Sequence, residues 1–480
     1  MVNLLELLPE YVLHWLVQKG KDRRLQAKEV LLKEGEHNDS LFLVLDGLFG
    51  TYVTSATESR LEHHGAGSIL GEMSFFTDGV SSELVVAEEE SQVLEIQKSS
   101  LKEKLDYDAG YASDFYKALL YTVSQKLRHT SLKLYAMETE ARTDATKDPA
   151  VKKAQAEIDR FKETIVKLDK SALKFGGLSE EQYQEFSAQA EELMYVCHSL
   201  LGDNSPLNEY VREQIGARLQ HEMLPYVLTT ETADRFYSKP RGYAGDYLAI
   251  HRIYQNVPGG TGRLGPLVDR MFLDTPPARA LRNRRSLLAS EILATVETRP
   301  NDVTRILCLA SGPATEVFDA FSSLDDPHRL KATLMDIDLQ ALAFVDEVRS
   351  KEKLTNQIAL TNENLIALFL GRVTTTLKPQ DLIYSMGLID YLNDKLVGKL
   401  LQYAYDSLAP GGRVLLGNFH PKNPAKEFMD FVLEWRLIHR TEDDMNRLFL
   451  SSPFRRPCTK IFFEEEGVDL FAECRKEEQA

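Results

Sequence analysis

The sequence predicts a multidomain protein with an N-terminal β-roll plus helices, a helical middle segment and a C-terminal α/β sheet. Three observations predict this fold class. Short β-rich runs separated by glycines occupy residues 20–98, apolar residues at helical spacing follow them, and strands alternate with helices from Val303 onward. A chain of 480 residues also exceeds one ordinary core, so we expect two or three domains.

Composition and charge limit the classes of partner. Apolar residues make up 43% and charged residues 27% of the chain, which is typical of a globular protein. The net charge of −16 disfavours nucleic acid, since phosphate binding relies on clustered Lys and Arg. We therefore expect a small molecule or another protein as the partner.

Location and metal content are also predicted from the sequence. The chain has no apolar run long enough for a transmembrane segment, and Glu6 and Glu10 stand where a signal peptide would carry basic residues. We therefore expect a cytoplasmic protein. The four cysteines lack CxxC or CxxH spacing, so we expect neither a disulfide framework nor a metal site.

We expect four segments along the chain. Residues 1–140 form the roll with its C-terminal helix, 141–175 a charged helical linker, 176–295 a helical cap segment and 296–480 the α/β domain. The segment 141–175 is highly charged and sparsely apolar. This pattern favours a solvated helix that joins two domains, with a short coiled-coil arm as the alternative.

Two strand ends in the α/β domain carry residues suited to a nucleoside. The strand that begins at Arg305 breaks into the small residues Ala310 to Ala314, and small residues at such a turn let the backbone approach a ligand. The next strand ends in Asp336, an acid placed where α/β folds hydrogen-bond ribose hydroxyls. These strand ends therefore predict a nucleoside site at one edge of the sheet.

The order of elements after residue 303 resembles that of class I S-adenosylmethionine-dependent methyltransferases. The resemblance rests on the run L-A-P-G-G-R-V-L-L-G-N-F after a D-L-I-Y-S strand, and on the closing runs Thr459 to Phe463 and Val468 to Cys474. It implies a Rossmann-like sheet of seven strands and S-adenosyl-L-methionine as the cofactor. Two features depart from the family pattern: Cys308 replaces the usual acid, and A-S-G-P-A replaces G-x-G-x-G.

The same resemblance assigns parts of the cofactor to residues. It places the methionine part at the turn after the first strand, the ribose at Asp336 and the adenine at residues 362–365. The residues it implies as cofactor contacts are Ala310, Ser311, Gly312, Ala314, Asp336, Asp338, Asn362, Asn364, Leu365, Ser385 and Gly387.

The run K-P-R-G-Y-A-G-D-Y, with Y-S-x-G-L-x-D-Y-L and G-N-F-H-P downstream, resembles bacterial 3-hydroxypalmitic acid methyl ester synthases. These proteins make a fatty-acid methyl ester used in cell-to-cell signalling. The resemblance implies a small-molecule acceptor, the carboxylate of a fatty or other organic acid. A carboxylate is ionised at neutral pH and needs only a clamp, for which Arg241 and Tyr243 are candidates. An alcohol or amine would need a base, and the catalytic candidates therefore also include Asp390, Tyr391 and His420.

Residues 20–130 resemble a cyclic-nucleotide-binding domain. The resemblance rests on the runs K-E-G-E, L-F-L-V-L-D-G and G-S-I-L-G-E-M-S-F-F. In that family the pair that stands here as Gly71-Glu72 meets the ribose and cyclic phosphate, and an arginine neutralises the phosphate. Ser81 and Ser82 stand where the arginine is expected, with Glu83 beside them. We therefore expect cAMP and cGMP to bind weakly or not at all.

Two further expectations concern the roll. The positive charge that a cyclic phosphate needs could also come from a residue other than the missing arginine. The alternatives are Lys28, Lys33, His63 and His64. The helix at residues 112–140 is the usual dimerisation element in regulators of this kind, so we expect a homodimer.

The sequence thus favours a cytoplasmic O-methyltransferase with a regulatory or dimerising N-terminal domain. The alternative is a non-catalytic signalling or scaffold protein that senses S-adenosylmethionine or a nucleotide. A DNA-binding regulator is disfavoured by the acidic charge and by the lack of a basic helix-turn-helix after residue 140.

Overall fold

The computed structural model of this chain describes residues 7–52, 60–72, 74, 80, 81, 83–123, 149–175, 179–299 and 302–477. The chain divides into two compact units. The first, here called the roll unit, contains Met1–Thr143 and Arg235–Asp246. The second, the sheet unit, contains Asp144–Asp234 and Tyr247–Ala480. Within the described ranges no helix is both long enough and apolar enough to cross a membrane.

The roll unit is built from short antiparallel strands in two four-stranded sheets. One sheet has the order β1-β8-β3-β6 and the other the order β2-β7-β4-β5. Their facing side chains form one apolar core, with Phe42, Val44 and Phe49 among its members. The elements are α1 (Glu10–Lys19), β1 (Lys21–Leu25), β2 (Val30–Leu32), β3 (Ser40–Asp46), β4 (Phe49–Tyr52), β5 (Arg60–His64), β6 (Ile69–Leu70), β7 (Leu84–Ala87), β8 (Ser91–Gln97), α2 (Lys98–Tyr107) and a helical stretch, α3, described over 109–123. The predicted β-roll is confirmed.

The segment Arg235–Asp246 packs within the roll unit. A Cβ on Gly242 would lie 2.4 Å from the carbonyl carbon of Gly47, so only a glycine permits this close approach. Arg235 pairs with the fully buried Asp246 at 2.7 Å, which ties the two ends of the segment together. The sequence-based division kept these residues inside the 176–295 segment. The structure differs because the backbone of Gly242 packs on that of Gly47 in the roll.

The helices of the sheet unit precede and surround its strands. They are α4 (Pro149–Phe175), α5 (Glu180–Leu201), α6 (Glu209–Val227), α7 (Thr232–Ser238, whose last residues belong to the roll unit), α8 (Tyr247–Gln255), α9 (Leu264–Leu273), α10 (Pro276–Glu297), α11 (Thr315–Ser322), α12 (Leu339–Lys351), α13 (Leu365–Phe369), α14 (Asp394–Ser407), α15 (Lys426–Phe431) and α16 (Glu442–Ser451).

Helix α4 differs from the solvated linker that its charge predicts. Ile158, Phe161, Ile165 and Leu168 recur at helical spacing and are buried. Phe161 stacks on Phe186 of α5 with ring centroids 5.4 Å apart. The sparse apolar residues thus form a continuous stripe, and the charges lie on the opposite face. The helix therefore belongs to the core of the sheet unit.

A seven-stranded mixed sheet forms the centre of the sheet unit, and this confirms the predicted fold class. Its order is β11-β10-β9-β12-β13-β15-β14. The first five are parallel, β15 runs antiparallel to β13, and β14 pairs with β15. The strands are β9 (Thr304–Leu309), β10 (Leu330–Asp336), β11 (Ile358–Asn362), β12 (Gln380–Met386), β13 (Leu408–Phe419), β14 (Lys460–Phe463) and β15 (Asp469–Arg475). The strand order reverses between β9 and β12, which is where such sheets bind ligands.

Candidate functional site

The turn between β9 and α11 has an unusual backbone. Ala310, Gly312 and Ala314 all have positive φ, at 57°, 51° and 48°. Two alanines in the left-handed region are uncommon and store strain, which is typical of ligand-binding turns. The hydroxyl of Ser311 is buried and has no hydrogen-bond partner among the described residues. Open space surrounds the position of a Cβ on Gly312. The turn therefore has an unused polar group and room beside it.

Asp336 organises this turn from the end of β10. It is 5% exposed, and its carboxylate accepts the N–H of Gly312 at 2.8 Å and the N–H of Asp338 at 2.9 Å. Asp338 in turn caps α12, since its carboxylate accepts the N–H of Gln340 at 2.8 Å. The acid predicted to hold a ribose thus also fixes the two loops beside it.

The remaining predicted cofactor residues lie at the same carboxyl edge. The amide of Asn362 donates to the carbonyl oxygens of Asp336 and Ile337, at 3.1 and 2.8 Å. Asn364 caps α13, and Leu365 begins that helix and is buried. The Ser385 hydroxyl donates to the Leu309 carbonyl oxygen at 2.7 Å and so joins the ends of β9 and β12. Gly387, with φ of 78°, follows β12 directly.

Asp390 and Tyr391 follow in the short 3₁₀ turn after β12. Asp390 is 2% exposed and accepts the Phe419 N–H at 2.8 Å. Burial raises the pKa of Asp390 to about 6, against the opposing effect of this hydrogen bond and of nearby arginines. The Tyr391 hydroxyl accepts a hydrogen bond from Trp435 Nε1 at 2.8 Å. Both residues are therefore held in fixed positions at the carboxyl edge of the sheet.

His420 follows β13 and is 4% exposed. Its Nδ1 accepts the Lys422 N–H at 3.1 Å, and its Nε2 lies 3.0 Å from a Glu442 carboxylate oxygen. Both ring nitrogens are thus engaged by protein groups. These contacts fix the orientation of the imidazole ring. They give no direct support to the prediction that His420 acts as a general base.

Sequence reasoning missed a buried ionic cluster beside this edge. Arg284 of α10 is 5% exposed and donates to Asp469 of β15 at 3.1 Å. Tyr254 of α8 also hydrogen-bonds Arg284. The available signal was the position of Arg284 on the apolar face of α10, three residues after Leu281 and four before Leu288.

Sequence reasoning also missed a cluster around Cys308, the residue of β9 at which the family pattern has an acid. The Tyr384 hydroxyl donates to the buried Glu316 at 2.8 Å and also contacts Cys308. Burial raises the pKa of Glu316 above its usual range. Glu316, in the first turn of α11, thus places a buried carboxylate near Cys308.

An apolar cleft lies within the sheet unit. Its enclosed volume is about 10 Å³, which is room for about one water molecule, so its apolar walls lie close together in this structure. Its polar lining residue, Thr275, donates its hydroxyl to the Phe272 carbonyl oxygen at 2.7 Å, so that polar group is already satisfied. The lining residues are Met194, Ile253, Phe272, Thr275, Pro277, Ala278, Leu281, Ala425, Phe428, Met429 and Trp435. Trp435 connects this cleft to Tyr391 through their hydrogen bond.

Arg241 and Tyr243 lie in the part of the chain that belongs to the roll unit. The structure therefore does not group them with the strand ends of the sheet unit, and their role at the acceptor stays a prediction. In the predicted nucleotide pocket, Gly71 has φ of 82° and Glu72 is buried. The Ser81 hydroxyl donates to the Glu83 carbonyl oxygen at 2.9 Å. Ser82 lies outside the described residues.

No group of three or more His, Cys, Asp or Glu residues suited to hold a metal occurs in the part of the chain that the structure describes.

Two family models match the chain. A family model described as "Cyclic nucleotide-binding domain" matches residues 22–108. A model described as "Putative methyltransferase" matches residues 242–461. No curated protein sequence matches the chain.

Three solved structures illustrate the structural likeness. A possible exported protein from Bordetella parapertussis is 19% identical, with 63% of this chain and 100% of that chain covered and a TM-score of 0.44. The catabolite activator protein of Thermus thermophilus is 18% identical, with coverage of 44% and 95% and a TM-score of 0.25. The N-methyltransferase NodS from Bradyrhizobium japonicum is 15% identical, with coverage of 41% and 96% and a TM-score of 0.30.

The family models agree with the two architectures and with the order in which they occur along the chain. S-adenosylmethionine is the usual cofactor of a methyltransferase domain. The chain therefore contains an N-terminal part, residues 22–108, that matches the cyclic nucleotide-binding domain model and a C-terminal part, residues 242–461, that matches the putative methyltransferase model.

Proposed function

We propose that this protein transfers a methyl group from S-adenosylmethionine to the carboxylate of an acid with an apolar chain, such as a fatty acid, and so forms a methyl ester. The observation that carries the proposal is the apolar cleft, whose wall includes Trp435, the hydrogen-bond partner of Tyr391 in the turn after β12. The lining is almost exclusively apolar, so a cleft whose walls move apart around a ligand would favour an acceptor with a hydrocarbon chain. The resemblance to methyl ester synthases agrees with this acceptor class.

The cofactor would be held at the carboxyl ends of β9, β10, β11 and β12. Ser311 supplies an unused hydroxyl, and the open space beside Gly312 leaves room for the methionine part. Asp336 is a buried acid at the position suited to a ribose. Residues 362–365 would contact the adenine. S-adenosylmethionine would supply an electrophilic methyl group bonded to a positively charged sulfur.

The chain's own contribution to methyl transfer is positioning. An acceptor carboxylate has a pKa of about 4 to 5 and is already ionised at neutral pH, so no residue has to remove a proton. The residues at the strand ends and in the cleft would hold the acceptor oxygen in line with the methyl group and exclude water, and this alignment would provide the rate enhancement. The apolar lining of the cleft keeps water from the acceptor chain.

The cyclic nucleotide-binding domain would give this enzyme a regulatory domain. We further propose a cytoplasmic homodimer that associates through residues 112–140, of which 124–140 lie outside the described residues. Both proposals are independent of the acceptor.

The acceptor class is tested with a variant of the cleft wall. Purified full-length protein is incubated with methyl-labelled S-adenosylmethionine and a series of linear fatty acids, and the products are identified by mass. Ala278→Leu adds bulk to the cleft, so we expect the preferred chain length to become shorter while cofactor affinity is unchanged. Ala294→Leu is the matched control, because Ala294 lies on the exposed side of the same helix.

Three outcomes would contradict the proposal. An unchanged chain-length profile in Ala278→Leu, with a normal melting temperature, would remove the cleft from the acceptor site. Methyl transfer only to acceptors without an apolar chain would refute the acceptor class. Cofactor binding without turnover of any acid or of a cell extract would favour the non-catalytic alternative.

A further inference from the structure

Arg284 is a buried cation with unused hydrogen-bonding capacity. Arginine is rarely buried to this degree unless it is paired. One terminal nitrogen donates to Asp469 at 3.1 Å, and Tyr254 is a second partner. Its Nε is buried and has no hydrogen-bond partner among the described residues. A buried donor without a partner costs free energy, so the guanidinium is suited to donate a hydrogen bond to a further ligand.

The position of Arg284 relates the apolar cleft to the carboxyl edge of the sheet. Its terminal nitrogens lie 3.8 and 3.9 Å from the position that a Cβ on Gly387 would take. Gly387 is partly exposed and directly follows β12. One turn earlier on α10, Leu281 lines the apolar cleft. Helix α10 thus contributes an apolar wall and, one turn later, a cation beside the end of β12.

We propose that Arg284 binds the carboxylate of the acceptor and thereby selects acids over neutral molecules with the same chain. This inference rests on the proposed function and names the residue that recognises the acceptor head group. A guanidinium presents parallel N–H donors that match the two oxygens of a carboxylate. The acceptor chain would then occupy the apolar cleft.

The carboxylates near Arg284 determine how the protonation of the site changes when a negatively charged acceptor binds. Asp469 interacts electrostatically with Arg284, Asp390 and Glu464. Burial raises the pKa of Asp469 to about 7, with Asp390 and Glu464 adding to the effect and Arg284 opposing it. An acceptor anion at Arg284 would raise this pKa further, so Asp469 would take up a proton from solvent. Binding of the acid should therefore be accompanied by net proton uptake near neutral pH.

The test measures binding of a fatty acid, and of the primary alcohol with the same chain, by calorimetry with the full chain. Arg284→Gln should weaken acid binding at least about tenfold and leave alcohol binding unchanged. Arg284→Lys keeps the charge but loses the planar fork, so it should weaken acid binding less than Arg284→Gln. Wild type should show net proton uptake when acid titrations are repeated in buffers of different ionisation enthalpy, and Arg284→Gln should not.

Two variants serve as controls. Arg285→Lys alters the next residue of α10, whose side chain pairs with Asp319 at 2.6 Å, and should leave acid binding unchanged. Arg241→Lys tests the residue that the sequence favoured for the same role. If Arg284→Gln does not fold, Arg284→Lys decides the question, because it keeps the charge but loses the planar fork and should still weaken acid binding more than alcohol binding.

The outcomes separate this inference from the proposed function. Unchanged acid binding in folded Arg284→Gln, or equal losses for acid and alcohol, would overturn the inference even if acids are methylated. Loss of acid binding in Arg241→Lys but not in the Arg284 variants would assign the role to Arg241. Acid binding that depends on Arg284 in a protein that methylates no acid would support the inference and refute the proposed function.

Discussion

Asp336→Asn is expected to weaken S-adenosylmethionine binding without abolishing the fold. The substitution keeps the size of the side chain but removes its charge, and it leaves one acceptor oxygen where the carboxylate now receives two backbone N–H groups, at 2.8 and 2.9 Å. Hydrogen bonds to a charged group contribute about 1.5 to 3 kcal/mol, so loss of the ribose contact should reduce affinity by about 1 to 3 kcal/mol, or roughly 5- to 150-fold. The distorted turn should also lower the free energy of unfolding by about 1 to 3 kcal/mol.

Asp381→Asn is the matched control for this variant. Asp381 is equally buried in the same sheet, but it lies at the opposite end of β12, where it accepts the Arg305 N–H at 2.8 Å and pairs with Arg299 at 3.0 Å. It should lose stability without losing cofactor affinity. Calorimetry gives the affinities and chemical denaturation the stabilities. Equal affinity in wild type and folded Asp336→Asn would refute the assignment of Asp336 to the ribose.

Three further predictions concern other parts of the chain. Chelation should leave methyl transfer unchanged, and a loss of activity restored by a divalent ion would contradict this expectation. Titration of the full chain with cAMP and cGMP should show weak binding or none, because Ser81 supplies no charge and Glu83 adds a repulsive one; a dissociation constant in the micromolar range or tighter would refute it. Burial lowers the pKa of His439 from 6.5 to about 4, so between these values the unfolded chain binds more protons than the folded one, and stability should rise with pH by up to roughly 3 kcal/mol. His439→Phe should flatten this part of the curve of unfolding free energy against pH, and an equally steep curve in the variant would show that another group is responsible.

The fold was predictable because its signals are local. Strand β10 ends at Asp336 and α11 begins at Thr315, as the alternation of apolar runs and small residues indicates. Strand β1 lies within the predicted β-rich stretch, but its own sequence, K-D-R-R-L, is almost entirely charged and carries no strand signal; it pairs along its whole length with β8. The tertiary partner decides the structure there, and a local pattern cannot reveal it.

The site was predictable only in part for the same reason. The turn residues from Ala310 to Ala314 could be identified because small residues after a strand carry a direct physical meaning. Arg284 and Asp469 come together across 185 residues of chain, and no local pattern joins them. The segment 235–246 has an unusual composition that suggests a role in a site, but its grouping with the roll depends on the contact between Gly242 and Gly47.

The chemical fate of the transferred methyl group shows directly whether the protein forms a methyl ester. Full-length protein is given methyl-labelled S-adenosylmethionine and a long-chain fatty acid, and the extracted product is then treated with alkali. We predict a product with the mass of the fatty-acid methyl ester, whose label is released as methanol by hydrolysis. A labelled product that resists alkali would show transfer to a different functional group, and the absence of any labelled lipid despite cofactor binding would contradict the account.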